Sequence, residues 1–143
     1  MIPAPSAHPR TLALPLALGL GLAALAMGCA APPPAAEESD KLGARGALRF
    51  SLDAPALREG ENALEVAVLE ATSRQGVTHA LVVAEASMPS MHHAPEVGVV
   101  TDLGEGRYAV EGLVFSMPGT WRLHIEATRD TLEDETTFDL DVP

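Results

Sequence analysis

Apolar and polar residues alternate along most of the chain beyond Ala47, in short runs broken by Gly, Pro and acidic clusters. In TWRLHIEAT (120–128) the residues Trp121, Leu123, Ile125 and Ala127 fall on one parity and Arg122, His124 and Glu126 on the other. A period of two is what a strand needs when one face is buried and the other is wet. TTFDLDV (136–142), NALEVAVLE (62–70) and ALRFSL (47–52) repeat it, with Phe138, Leu140, Val142, Leu64, Val66, Val68, Leu48, Phe50 and Leu52 on the inward parity. THALVVAEAS (78–87) and GRYAVEGLVF (106–115) have strand composition with a blurred alternation, and EVGVVT (96–101) predicts a short strand.

No window carries a helical period, so the pattern predicts about seven strands within residues 47–143. That is the size of an immunoglobulin-like antiparallel β-sandwich. The cysteine pair of antibody domains is missing and Trp121 lies on the sixth predicted strand, so the domain is not of antibody type. With three Phe, one Tyr and one Trp, its core is expected to be built mainly from Val, Leu, Ile and Ala. The acidic run Glu133, Asp134, Glu135 reads as a solvated turn, and His79 and His124 read as surface residues.

The N-terminal residues follow a different pattern. TLALPLALGLGLAALAM (11–27) is uncharged and apolar, Arg10 precedes it, and small residues and Cys29 follow. This is the layout of a secretory signal, and its 17 residues also reach the lower edge of a spanning helix. Cys29 is the only cysteine, so it forms no intrachain disulfide. Ala26-Met27-Gly28-Cys29 resembles the lipobox of bacterial lipoproteins, with Ala26 where Leu is usual. The resemblance implies a signal peptide at 1–28, acylation of Cys29, and attachment to a membrane by acyl chains without a spanning helix. It also implies a location in the cell envelope facing the periplasm, with the outer membrane favoured in a Gram-negative cell because Ala30 follows the cysteine. APPPAAEESD (31–40) and KLGARG (41–46) read as a Pro-rich, then polar, tether over 29–46.

Removing the signal takes away one of nine basic residues and none of twenty acidic ones, leaving 8 − 20 = −12. A surface of that sign repels nucleic acid. No nucleophile elbow, phosphate loop or Cys-His pair is present, so no enzyme activity and a monomeric binding domain are expected.

Beyond the signal only Met88, Met91 and Met117 remain of five methionines, and all lie in two loops of related sequence, SMPSMHH (87–93) and SMPG (116–119). If successive strands run up and down, the loops after the third and fifth predicted strands open at the same end. Thioethers suit Cu(I), and imidazole suits copper in either state. Zinc is a poorer match, because thioethers bind it weakly and two adjacent histidines do not fill a tetrahedral site. Met88, Met91 and Met117 with one of His92 or His93 are therefore candidate Cu(I) ligands. The alternative is that the methionines plug the open end of the sandwich as flexible hydrophobes, or form a metal-free docking surface.

The order DAPALREGENALEV, SMPSMHH, GEGRYAVEGLVFSMPGTWRLHIEA resembles the YtkA-like domain, related to FixH-type and CopC-like sandwiches. The similarity covers about residues 48–142. Its specific elements are Met88-Pro89 with Met91 and His92, Gly106 to Tyr108, and Met117 with Gly119 and Trp121. The family pattern has Gly between the second methionine and the histidine, where this chain has His92, so His93 also matches the family histidine. The resemblance implies an exported sandwich that handles copper, with a copper-accepting protein as partner, or that assists assembly of an oxidase or cation pump.

Overall fold

The computed structural model describes residues 39–143; the expectations for the signal, Cys29 and the Pro-rich segment lie outside them. Among the described residues there are nine strands and no helix. They are β1 (Ser39–Leu42), β2 (Leu48–Asp53), β3 (Gly60–Glu70), β4 (Leu81–Ser87), β5 (Glu96–Val97), β6 (Val99–Gly104), β7 (Arg107–Phe115), β8 (Gly119–Arg129) and β9 (Leu132–Val142). All pairings are antiparallel, in a five-stranded sheet ordered β1-β2-β3-β7-β6 and a four-stranded sheet ordered β5-β4-β8-β9. The described residues form an all-β sandwich whose inner faces meet in one core.

The inward parity is the one the sequence predicts: Leu48, Phe50 and Leu52 on β2, Leu64, Val66 and Val68 on β3, and Trp121, Leu123, Ile125 and Ala127 on β8 are buried. The blurred alternation of β7 has a local cause. Tyr108 and Val110 point inward, then Leu113 and Phe115 do, so parity changes at Glu111–Gly112. One extra β7 residue is accommodated there against Asn62 and Leu64 of β3, and Gly112, at φ 74°, takes the left-handed conformation that such a bulge favours.

Four features differ from expectation. Residues 39–46, assigned above to the tether, hold β1 and a turn: β1 pairs with β2 from Ser39↔Leu52 to Leu42↔Arg49, and Lys41 Nζ donates to Thr137 O at 2.7 Å on β9. The predicted strand at 96–101 is divided at Gly98, where the chain leaves the four-stranded sheet for the other. A Cβ at Gly98 would sit 2.5 Å from Val110 Cγ1, so the crossing needs a residue without a side chain. All five aromatics are buried: Phe50, Phe115, Phe138, Tyr108 and Trp121 are the largest enclosed side chains, where an aliphatic core was expected.

The last strand begins at Leu132, and Asp134, expected in a solvated turn, is 1% exposed. Its carboxylate accepts N–H bonds from Arg45 (2.7 Å), Ala47 (2.8 Å), Leu48 (3.0 Å) and Glu135 (2.9 Å). Burial alone would raise its pKa. The four backbone donors outweigh that and hold it below the ordinary carboxylate value. Both histidines expected at the surface lie there: His79 is exposed, and His124 stands on the outward parity of β8, with its Nε2 3.0 Å from Glu135 Oε2.

Candidate metal centre

The two methionine loops open at the same end of the sandwich. β4 pairs with β8 in the register Ser87↔Arg122, which sets the end of β4 beside the start of β8. The segment 88–95 leaves β4 there, and 116–118 joins the end of β7 to the start of β8. The loops share this end although one more strand lies between them than expected. β5 and β6 run in the same direction through Gly98, each antiparallel to its own neighbour, so the division adds no reversal.

Met88 continues the inward parity of β4 and is 6% exposed, within the core cluster. A Cβ at Gly119 would lie 3.3 Å from Met88 Cε, so the side chain of the first loop rests on the backbone of the second. Met117 is partly buried against the same core. Its carbonyl accepts the indole N–H of Trp121 at 3.1 Å, which fixes the second loop to the sheet. Trp121 in turn stacks at a tilt on Phe115, with centroids 5.1 Å apart.

Met91 and the two histidines lie on the outer side of the first loop. Met91 N–H donates to Met88 O at 3.0 Å, closing a turn around Pro89 and Ser90 that leaves Met91 46% exposed. His92 and His93 are exposed. The His93 ring lies 5.8 Å from the Trp121 ring, centroid to centroid, and its Nδ1 is 2.8 Å from Ala94 O. A carbonyl only accepts, so Nδ1 carries the proton in that contact. An imidazole held this way through Nδ1 is in the arrangement in which an outer hydrogen bond orients a metal-binding ring by its other nitrogen.

The structure thus brings Met117 and His93 to Trp121 and rests Met88 on Gly119, while Met91 is tied to Met88 through the backbone. His92 has no such fixing contact to this cluster. Sequence reasoning missed the role of Ala94, and a single imidazole–carbonyl contact leaves no composition or spacing signal that would have found it.

The donor set is thioether and imidazole. Among the described residues no group of three or more His, Cys, Asp or Glu is placed to hold a metal ion. As donor types, thioether and imidazole suit a soft monovalent cation better than Zn²⁺, Mg²⁺ or Ca²⁺, which need thiolate, several imidazoles or several oxygens.

A β-sandwich with paired methionine loops and an oriented histidine at one end is the class of domain that the fold and this geometry define. The family model described as YtkA-like matches residues 46–126, more than half of the 143 and inclusive of both loops. The chain belongs to the YtkA-like family. No curated protein and no solved structure matches it.

Proposed function

We propose that this is an exported, lipid-anchored protein that binds one Cu(I) at the loop end and holds it for transfer to a partner or for resistance to the metal. The observation that supports the reading most directly is the convergence of the two methionine loops on Trp121, through the His93 ring and the Met117 carbonyl, with His93 Nδ1 bonded to Ala94 O. In this reading Met91 and His93 supply donors from the solvent side, and Met88 and Met117 supply sulfur from the core side. A thioether–imidazole set has no thiolate to lose to disulfide formation in an oxidising compartment. Cys29 carries the acyl anchor, following the lipobox resemblance at 26–29.

The second reading, a metal-free module that assists assembly of an oxidase or cation pump, is favoured by the burial of Met88, whose packing needs no ion. Anaerobic Cu(I) titration of the full chain against a competing chelator separates the two. The copper reading expects His93→Ala to weaken retention by about tenfold or more, worth about 1.4 kcal/mol, and His92→Ala to leave it near wild type. Equal competition by the wild type and by a variant with Met88, Met91 and Met117 all changed to Leu sinks the copper reading.

A further inference from the structure

Three methionines at one site differ sharply in access. Met88 is 6% exposed, Met117 is partly buried against the core, and Met91 is 46% exposed on a turn. We infer that Met91 is an oxidation-sensitive switch of the site, converted by a peroxide to the sulfoxide ahead of the other two and thereby releasing the bound ion. The inference rests on the copper reading above.

The chemistry is a two-electron oxygen transfer. A lone pair on the Met91 sulfur attacks one peroxide oxygen, the O–O bond breaks, the S–O bond forms, and the remaining oxygen leaves as water once protons have moved to it. Sulfur is oxidised and the peroxide is reduced. No other co-reactant is needed, and the product is the reversible sulfoxide step of the methionine ladder.

Two structural facts make this a switch and not simple damage. Sulfoxide formation at Met88 would place a polar oxygen in the core beside Gly119 and disrupt packing, but Met91 already faces water, so its oxidation leaves the core intact. The change also removes a soft donor and installs a hard oxygen, which suits Cu(I) poorly. The loop geometry ties the two responses together, because the Met91 amide is bonded to Met88 O and Met91 is the most exposed of the three methionines.

The full chain is treated with a limited amount of hydrogen peroxide, and the oxidised methionines are located by peptide mass spectrometry. In the metal-free protein Met91 is expected to gain oxygen several-fold faster than Met88 or Met117, and Cu(I) is added only after the peroxide has been removed. The singly oxidised protein is expected to lose Cu(I) to the chelator at a lower chelator concentration than untreated protein. Met91→Leu, although weaker in retention from the start, is expected to show no further loss after peroxide. Oxidation of Met88 or Met117 as fast as Met91 overturns the assignment of the switch residue. Unchanged retention by the singly oxidised protein overturns the switch while leaving copper binding standing. Failure of untreated protein to bind Cu(I) overturns the proposed function and the release step with it, and the order of oxidation still reports separately on Met91.

Discussion

Replacing Asp134 with Ala removes the acceptor that joins the 43–48 turn to β9 across a sequence separation of more than 85 residues. Three amides, those of Arg45, Ala47 and Leu48, lose a charged partner, along with the local one of Glu135. A hydrogen bond to a charged group contributes about 1.5–3 kcal/mol. A simple sum over the three long-range bonds overshoots, because the Arg45 and Ala47 amides are only part-buried and water replaces some of what is lost. The desolvation cost of the buried carboxylate also disappears with it. A net loss of about 3 kcal/mol is expected, and Asp134→Asn should lose a comparable amount, because in either orientation its NH2 faces two backbone N–H donors.

For a folded part of this size a loss of about 3 kcal/mol lowers Tm by roughly 15 °C, which thermal and urea unfolding can measure together. The pH dependence adds an independent readout. The folded-state pKa of Asp134 lies below its unfolded value, so its stabilisation is present above about pH 4, the ordinary carboxylate range, and is lost as pH falls through the folded pKa. The wild type should therefore lose stability over that acid range, and Asp134→Ala should lack that share of the slope. Gly43→Ala gives a check from the other side of the contact, since its Cβ would run into the Asp134 carboxylate. A Tm for Asp134→Ala within about 3 °C of wild type, or an unchanged acid slope, refutes the claim that this carboxylate fastens the turn.

Gly106→Ala should cost several kcal/mol or prevent folding in urea titrations, because Gly106 sits at φ 79° and a Cβ there would lie 2.6 Å from both Gly76 Cα and Val68 O. Tyr108→Phe should cost about 1–2 kcal/mol without changing the urea m-value, since its hydroxyl donates to Val77 O at 2.6 Å and accepts from Ala80 N at 3.0 Å; a loss under 0.3 kcal/mol would show that water satisfies both groups equally well.

The sequence made the fold legible wherever burial is one-sided. β8 and the end of β9 could be read residue by residue, because Trp121 to Ala127 and Phe138 to Val142 alternate without interruption. It failed where backbone geometry breaks the period. The bulge at Gly112 moves the inward parity of β7, and the crossing at Gly98 turns one expected strand into two. β1 was hidden for another reason: SDKL has no apolar alternation, and its place is held by pairing with β2, by Lys41 on Thr137 and by Arg49 on Asp40. Asp134 was misread because its neighbours Glu133 and Glu135 suggest a wet acidic turn, while only the folded chain brings four amides to its carboxylate. At the candidate site, strand parity was sufficient to bring the loops together. The division of the sulfurs into buried Met88 and exposed Met91 was not legible, since both occur in the same SMPSM run.

The two ends of the sandwich are closed by different chemistry, and this bears on what each can do. At the end away from the methionine loops, polar groups bond backbone directly: Asp134 holds the 43–48 turn, Tyr108 holds Val77 and Ala80, and Asp102 accepts from His79 and Gly104. Such contacts are directional and short, so that end is a fixed scaffold. The loop end is closed by Met88, Met117 and Trp121, whose sulfur and ring surfaces are adaptable and make only one side-chain hydrogen bond between them, that of the indole to Met117 O. Variation in stability should therefore map to the first end and variation in ion retention to the second. Asp134→Ala, studied below its own Tm, should retain Cu(I) as wild type does, whereas His93→Ala should lose Cu(I) with little change in Tm. A variant set in which stability and retention fall together would mean that the loop end is part of the same rigid unit, and that the methionines are there to fill it.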